Sequence, residues 1–163
     1  RDLTGASVTG FVTLPLLATP ILAGQSLSLT RDPEHDTSLA FRRDFAKKFT
    51  RPVCLRVGRR EASMAPMIQP GDVVVIDQNI QRRRQPQDGH IYAVNLGALK
   101  GDGSGGGITR VEMSDGMLII NADNPDKKRY PTRAFSVRRQ TLPGILVGEV
   151  VWFGRYLGSK KRR

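Results

Sequence analysis

The chain has 163 residues, 39% of them hydrophobic, and its 17 glycines and 10 prolines favour many turns over long helices. A chain of this length fits one domain and can bury a core without disulfides or metals as staples. A single cysteine, Cys54, excludes an internal disulfide and suits a reducing cytoplasm. Two distant histidines, His35 and His90, predict no metal site, and we expect no cofactor.

The formal charge of +11 indicates attraction to an anionic partner such as nucleic acid. Ten of the 26 basic residues fall in three short runs, at residues 82–84, 127–129 and 160–163. These runs are separate and lack interleaved aromatic residues, which disfavours recognition of stacked bases. We interpret the charge as solubilising or as a weak phosphate contact, and keep a direct nucleic-acid-binding module as an alternative.

Residues 1–36 have no sustained hydrophobic period, which predicts an extended N-terminal arm lying on a body of residues 37–163. Within the arm, residues 11–23 are apolar but contain Pro15 and Pro20 and are too short to cross a bilayer core of about 30 Å. They also lack the basic leader of a secretory signal. We therefore expect no membrane partner and a cytoplasmic location.

The next element is a predicted short helix over residues 37–49. Phe41, Phe45 and Phe49 recur every four residues, and Thr37 or Ser38 is suited to cap the first turn. The aromatic stripe indicates a core contact rather than a ligand site.

From residue 53 onward the sequence predicts short strands separated by turn signals. The predicted strands are residues 53–57, 73–77, 91–95, 108–113, 117–121 and 145–153. Three residues ending in Gly116 join two of these strands, which predicts a hairpin. The glycine-rich run 101–107 lacks the Gly-Lys-Ser/Thr ending of a phosphate loop and is interpreted as a mobile hairpin tip. The expected fold class is mostly β.

A serine turn is the most informative feature of the chain. Ser63 is followed by Met64 and Pro66, and a predicted strand begins at Gly71 and Asp72. A serine hydroxyl is a weak nucleophile unless a neighbouring base takes its proton. With two histidines and no Gly-x-Ser-x-Gly elbow, a Ser-His-Asp triad has little support, so a buried neutral lysine is the base to look for.

Three segments carry a resemblance to the C-terminal domains of LexA-like and phage repressors, which are Ser-Lys self-cleaving peptidases. They are the turn from Ser63 to Pro66 with Gly71 and Asp72, the segment 88–94 and the segment 147–152. The resemblance implies short twisted strands and hairpins in a partly open β-barrel or clip, with an extended arm and one short helix. It also implies that Ser63 occupies the nucleophile position.

The same resemblance places the general base on the segment 108–111, where this chain has Thr109. A threonine hydroxyl cannot serve as that base, so activation of Ser63 is expected to be slow or lost. Lys100 is a candidate substitute base at the edge of the glycine run. The turn departs from the family again at Glu61 and Ala62, where the family has glycine followed by an acidic residue.

In the family the substrate is the chain itself, cut before a glycine in the apolar arm. Ala23 and Gly24 match this pattern, 40 residues before Ser63 counted from Ala23. The resemblance therefore implies a cleavage site between them. Asp72 and Asp77 are interpreted as turn and strand-end residues rather than as acids or bases.

These features predict the dimerisation and regulatory domain of a LexA-like or phage-type transcriptional repressor. Homodimerisation would position two separate helix-turn-helix domains, expected before Arg1, on operator DNA. An inducer protein is a possible trigger of cleavage. The alternative is an active Ser-Lys protein, either a repressor or a UmuD-like polymerase accessory, that cuts between Ala23 and Gly24. Whether the protein is an enzyme stays open at this point.

Overall fold

One mixed sheet of nine strands organises the part of the chain that the computed structural model describes, residues 10–17, 20–21, 29, 37–100 and 106–157. The strand order across the sheet is β2-β1-β3-β4-β9-β5-β6-β7-β8. The strands are β1 Phe11–Leu16, β2 Thr37–Arg42, β3 Val53–Arg56, β4 Val73–Asp77, β5 Ile91–Asn95, β6 Gly106–Ser114, β7 Met117–Asn121, β8 Arg133–Ser136 and β9 Leu146–Gly154. The protein is mostly β, as the sequence predicts.

Four short α-helices lie between the strands in the described ranges, where the sequence predicts one helix. They are α1 Arg43–Ala46, α2 Ile80–Arg84, α3 Gly97–Lys100 and α4 Leu142–Ile145. Each has only four or five residues, too few for hydrophobic periodicity to reveal it. None of the described helices is long and apolar enough to span a membrane.

The predicted strands from β3 onward are confirmed within one or two residues at each end. The predicted hairpin is β6 and β7, with antiparallel pairing from Arg110 opposite Asn121 to Ser114 opposite Met117. Asp115 and Gly116 close it with φ values of 48° and 75°. Glycine adopts this left-handed conformation without strain, which explains why Gly116 marks the turn in the sequence.

The predicted helix over residues 37–49 is wrong. Residues 37–42 form β2 paired antiparallel to β1, and only Arg43–Ala46 are helical. The ring of Phe45 lies 5.6 Å from that of Phe41 and 5.1 Å from that of Phe49, so the aromatic side chains do meet in sequence order. Pairing with β1 satisfies the backbone of β2 and overrides the local helical pattern.

The described parts of the arm join the sheet rather than only lying on it. β1 pairs with β2 and touches β3 in parallel, where the Leu17 amide donates to the Cys54 carbonyl at 3.0 Å. Further along, the Ile21 amide donates to the Arg56 carbonyl at 2.8 Å, and the Gly58 amide donates back to the Ile21 carbonyl at 2.7 Å. Ile21 is fully buried. The arm residues 11–17 and Ile21 are thus hydrogen bonded into the body.

Three groups of buried apolar side chains form the core. The first group lies beneath the serine turn and includes Ile21, Met64, Ile68 and Ile108. The second is centred on Tyr92 at the β5 to β7 side of the sheet. The third contains Cys54, whose thiol pKa is raised to about 11 by burial, which keeps it protonated and unreactive.

Candidate functional site

The serine turn lies between β3 and β4 and is held from below and from the side. Met64 is fully buried in the first core group and anchors the turn from below. From the side, the Asn124 amide donates to the Ser63 carbonyl at 2.9 Å, and its side-chain nitrogen donates to the Ala62 carbonyl at 2.8 Å. Asn124 follows β7, so the end of the hairpin fixes the backbone that presents Ser63.

Two further residues of the turn have defined backbone roles. Gly71 has φ of 92°, a conformation that side-chain-bearing residues rarely adopt, and its amide donates to the Val57 carbonyl at 2.8 Å. The peptide bond between Ala65 and Pro66 is cis. Pro66 itself is exposed at the outer side of the turn.

Asp72 is buried and makes an ion pair and a backbone contact. Its carboxylate pairs with the Arg155 guanidinium at 2.7 Å and accepts the Gln69 amide at 2.8 Å. Asp77 likewise accepts the Thr50 amide at 2.8 Å and the Asn79 amide at 3.1 Å. Both carboxylates close backbone turns at the ends of β4.

The Ser63 hydroxyl has two hydrogen-bond partners, and neither is an amine. Its Oγ lies 2.6 Å from the carbonyl oxygen of Ile108 on β6 and is hydrogen bonded to Oε1 of Glu61. The same Oε1 accepts the Ser63 amide at 3.1 Å. No lysine is a partner of Ser63 within the described ranges.

Glu61 is buried, with 3% of its surface exposed. Burial raises the pKa of its carboxyl, and hydrogen bonds from Ser63 and from the Ile108 amide offset part of that rise. No charged group is among the causes of its pKa shift. A Cβ on Gly107 would lie 2.5 Å from Oε2 of Glu61, so the strand approaches the carboxyl closely because that residue is glycine.

Glu61, Ser63 and Thr109 line one cavity of about 170 Å³. Apolar side chains from β5 to β7 form one wall, and a basic segment after β7 forms the rim. The remaining lining residues are Val94, Leu96, Gly106, Gly107, Ile108, Ile120, Ala122, Arg129, Tyr130, Pro131 and Arg133. The cavity therefore offers a small, largely apolar space beside a serine hydroxyl.

Thr109 shares this cavity with Ser63 but is not bonded to it. Its side chain is 6% exposed, and its hydroxyl donates to the Arg110 carbonyl at 3.3 Å. Lys100 ends α3, and its side chain lies outside the described part of the structure, as do Ala23 and Gly24. Lys127 is engaged elsewhere, because its amine donates to the carbonyl of Ala122.

Glu61 was not predicted as a partner of Ser63. In the sequence it stands out only as a departure from the family pattern. A usable signal was present, because a carboxyl two residues before a turn serine can reach the backbone amide of that serine. Burial of the carboxyl was not readable from Glu61 and Ala62 alone. It results from β6 packing across the turn through Gly107 and Ile108.

A second buried glutamate, Glu149 on β9, lies in a different polar cluster. Its two oxygens each lie 2.6 Å from a basic side chain, Arg82 on one side and His90 on the other. Arg82 also lies 3.9 Å from buried Asp77, and its carbonyl accepts the Tyr92 hydroxyl at 3.1 Å. Nothing in the sequence alone points to this cluster.

No set of three or more His, Cys, Asp or Glu side chains is grouped to hold a metal ion in the described segments. A scan against models of known protein families gives no match for this chain. A search of curated proteins gives no match either. Any statement about function therefore depends on the site and on the sequence motif.

Proposed function

We propose that this chain is the dimerisation and regulatory domain of a LexA-like or phage-type repressor in which self-cleavage is slow or lost. One observation carries the proposal: Ser63 lies on a rigid turn over a cavity shared with Thr109, and its hydroxyl is bonded to a carboxyl and a carbonyl. The arrangement is that of a nucleophile turn beside a strand that could supply a base. The side chain that this strand places in the cavity is that of Thr109, which carries a hydroxyl.

The low expected activity follows from the chemistry of these partners. A general base contributes about 10²- to 10⁴-fold to such a reaction, and neither Thr109 nor the Ile108 carbonyl can fill that role. The Glu61 carboxyl could do so only when ionised, and burial raises its pKa and so disfavours that form. The hydroxyl is also held by the β6 backbone at 2.6 Å. Self-cleavage is therefore expected to be far slower than in a chain with lysine at residue 109.

The described residues that flank Ala23 and Gly24 support a cut in the chain's own arm. Ile21 and Leu29 both pack against the core group that contains Met64 and Ile108, directly under the serine turn. The Ile21 carbonyl accepts the Gly58 amide, and the Gly58 carbonyl accepts the Glu61 amide at 3.1 Å. Ile21 and Leu29, on either side of the proposed cut, thus both lie against the core group beneath the turn that bears Ser63.

Self-association is supported by exposed apolar side chains at the end of β9 and just after it. Trp152 and Phe153 are 37% and 38% exposed, and Tyr156 and Leu157 are 72% and 93% exposed. Such a group commonly marks a protein contact. Under the proposal, two copies pair here or nearby, and a separate helix-turn-helix domain binds operator DNA. Sedimentation velocity at micromolar concentration is expected to show a dimer.

Restoring the lysine tests the proposal. Thr109→Lys is expected to raise cleavage between Ala23 and Gly24 by at least about 10²-fold at alkaline pH, because an amine then enters the cavity beside Ser63. Mass spectrometry of the fragments gives the position and rate of the cut. Thr37→Lys, at the exposed start of β2, adds a matched lysine away from the site and should leave the rate unchanged.

The double variant Ser63→Ala with Thr109→Lys must show no cut. A folded Thr109→Lys protein with an intact arm at all pH values, together with a monomeric parent, would contradict the assignment. A parent that already cuts rapidly, and stops when Lys100 is changed to alanine, would instead establish the active Ser-Lys alternative.

A further inference from the structure

Three oxygen atoms meet at the serine turn: Ser63 Oγ, the Ile108 carbonyl oxygen and Oε1 of Glu61. If Glu61 is ionised, one proton is available for the two contacts between them. Ser63 Oγ lies 2.6 Å from the Ile108 carbonyl oxygen and is also in hydrogen-bond contact with Oε1 of Glu61. The serine hydroxyl has one proton, and a carbonyl has none to give. If that proton goes to Ile108, the contact with Glu61 is a hydrogen bond only when the Glu61 carboxyl carries its own proton.

The surroundings of Glu61 favour the neutral acid. It is 3% exposed, and its hydrogen-bond partners are the neutral groups of Ser63 and Ile108. An unpaired charge in such a position is strongly disfavoured. In the described part of the chain, the charged or titratable groups next to it in sequence are exposed Arg59 and Arg60, and those around the cavity are Arg129, Tyr130 and Arg133. None of these is among the causes of its pKa shift.

We propose that Glu61 and Ser63 form an acid–base pair with two states. Neutral Glu61 donates to Ser63 Oγ and leaves the serine hydroxyl bonded to the Ile108 carbonyl. Ionised Glu61 accepts the serine proton and makes Ser63 a nucleophile toward small electrophiles in the cavity. The inference concerns the chemistry of Ser63 and does not depend on the repressor assignment.

The second state follows from the same proton count. When Glu61 loses its proton to solvent, it can no longer donate to Ser63 Oγ. The two side chains then stay hydrogen bonded only if the Ser63 hydroxyl turns away from the Ile108 carbonyl and donates to the Glu61 carboxylate. As Ser63 Oγ then forms a bond to the electrophilic atom, its proton passes to Glu61 and the leaving group departs. Apolar Val94, Leu96 and Ile120 line the space beside it, which suits a small apolar acyl or phosphoryl group.

Diisopropyl fluorophosphate is a direct probe of this chemistry. The Ser63 oxygen forms the new bond to phosphorus, the bond to fluorine breaks, fluoride leaves, and the hydroxyl proton goes to Glu61. We expect the labelling rate of Ser63, measured by mass spectrometry, to rise at least about 10-fold between pH 5 and pH 9 and then level off. Ser63→Ala must abolish this label.

Glu61→Gln is the decisive variant, because its amide donates to Ser63 as the neutral acid does but cannot accept a proton. Its labelling is expected to stay at the low-pH rate throughout. Glu112→Gln, an exposed carboxyl on the same strand as Ile108, is the matched control and should label like the parent. Glu61→Asp retains a carboxyl and should keep the pH dependence at a lower rate.

Two results would overturn the inference. One is a folded parent that does not label at any pH, and the other is a Glu61→Gln protein that labels with the rate and profile of the parent. If Glu61→Gln fails to fold by circular dichroism, the Glu61→Asp profile decides, and a pH-independent rate there counts against the pair. None of these outcomes alters the Thr109→Lys cleavage test or the dimer measurement.

Discussion

Two buried glutamates, one in the serine turn and one on β9, have opposite surroundings. Glu149 is 4% exposed and touches Arg82 and His90, each at 2.6 Å. Glu61 is 3% exposed, and its partners are a hydroxyl and backbone amides. Burial alone therefore does not decide the state of a carboxyl. Glu149 has basic partners, whereas among the described residues no charged group contributes to the pKa shift of Glu61, and burial raises that pKa.

The difference has a functional meaning. Glu149 ties α2 and His90, the residue before β5, to β9. The Glu61 carboxyl has no cation among its described partners, its pKa is raised by burial, and it touches the Ser63 hydroxyl. Three substitutions test this difference between Glu149 and Glu61.

Replacing Arg82, which pairs with Glu149, should have the largest effect on the free energy of unfolding. Arg82→Met leaves a buried carboxylate with only His90 beside it, and we expect a loss of about 2–3 kcal/mol in the free energy of unfolding at pH 7. The loss lies at the low end for buried pairs because the Arg82 side chain is 42% exposed. Urea denaturation measures this loss of stability.

The control is Arg84→Met, on the same helix and exposed, which should change the free energy of unfolding by less than about 0.5 kcal/mol. Equal effects of the two changes would show that the pair with Glu149 is unimportant.

Crowding Glu61 should have an intermediate effect. In Gly107→Ala the new Cβ would lie 2.5 Å from Oε2 of Glu61, so the carboxyl or the strand must shift. We expect a loss of about 1–3 kcal/mol in the free energy of unfolding. Gly144→Ala, where nothing lies within 4 Å of the added atom, is the control. If Gly107→Ala is as stable as Gly144→Ala, the Glu61 carboxyl does not lie against residue 107 and the prediction is wrong.

Removing the titration of Glu61 should have the smallest effect, with a distinct pH dependence. A carboxyl whose pKa is raised in the folded state stabilises the fold below its unfolded pKa, and this contribution is lost as pH rises through the folded pKa. Glu61→Gln is therefore expected to gain stability relative to the parent as pH rises from 4 to 8. Urea denaturation at several pH values tests this. A difference between parent and variant that is the same at every pH would contradict it.

The strands were predictable because their signal is local. Apolar residues bounded by turn residues locate β4, β5 and β7, and Gly116 locates a hairpin. β8 carries no such run, since three of its four residues are exposed at the sheet edge. The phenylalanines that predict a helix at residues 37–49 instead meet across the junction of β2 and α1.

The site was predictable only in part, for a similar reason. The Ser63 motif and the place of Thr109 were visible in the sequence, and the structure brings both to one cavity. The environment of Glu61 depends on Gly107 and Ile108, more than 40 residues away, so nothing local reveals its burial. The Glu149 cluster needs β9 to lie between β4 and β5, which is a property of the topology.

A carboxyl NMR titration tests the central claim most directly. The chain has four glutamates, Glu34, Glu61, Glu112 and Glu149, so carbon-13 labelling at the glutamate carboxyl gives four signals that single glutamine variants can assign. Because burial raises the pKa of Glu61, its signal is predicted to keep the chemical shift of a neutral acid at pH values above the ordinary range of a glutamate carboxyl. A Glu61 signal that titrates within that ordinary range would show that the serine has an ordinary carboxylate beside it and would contradict the central claim.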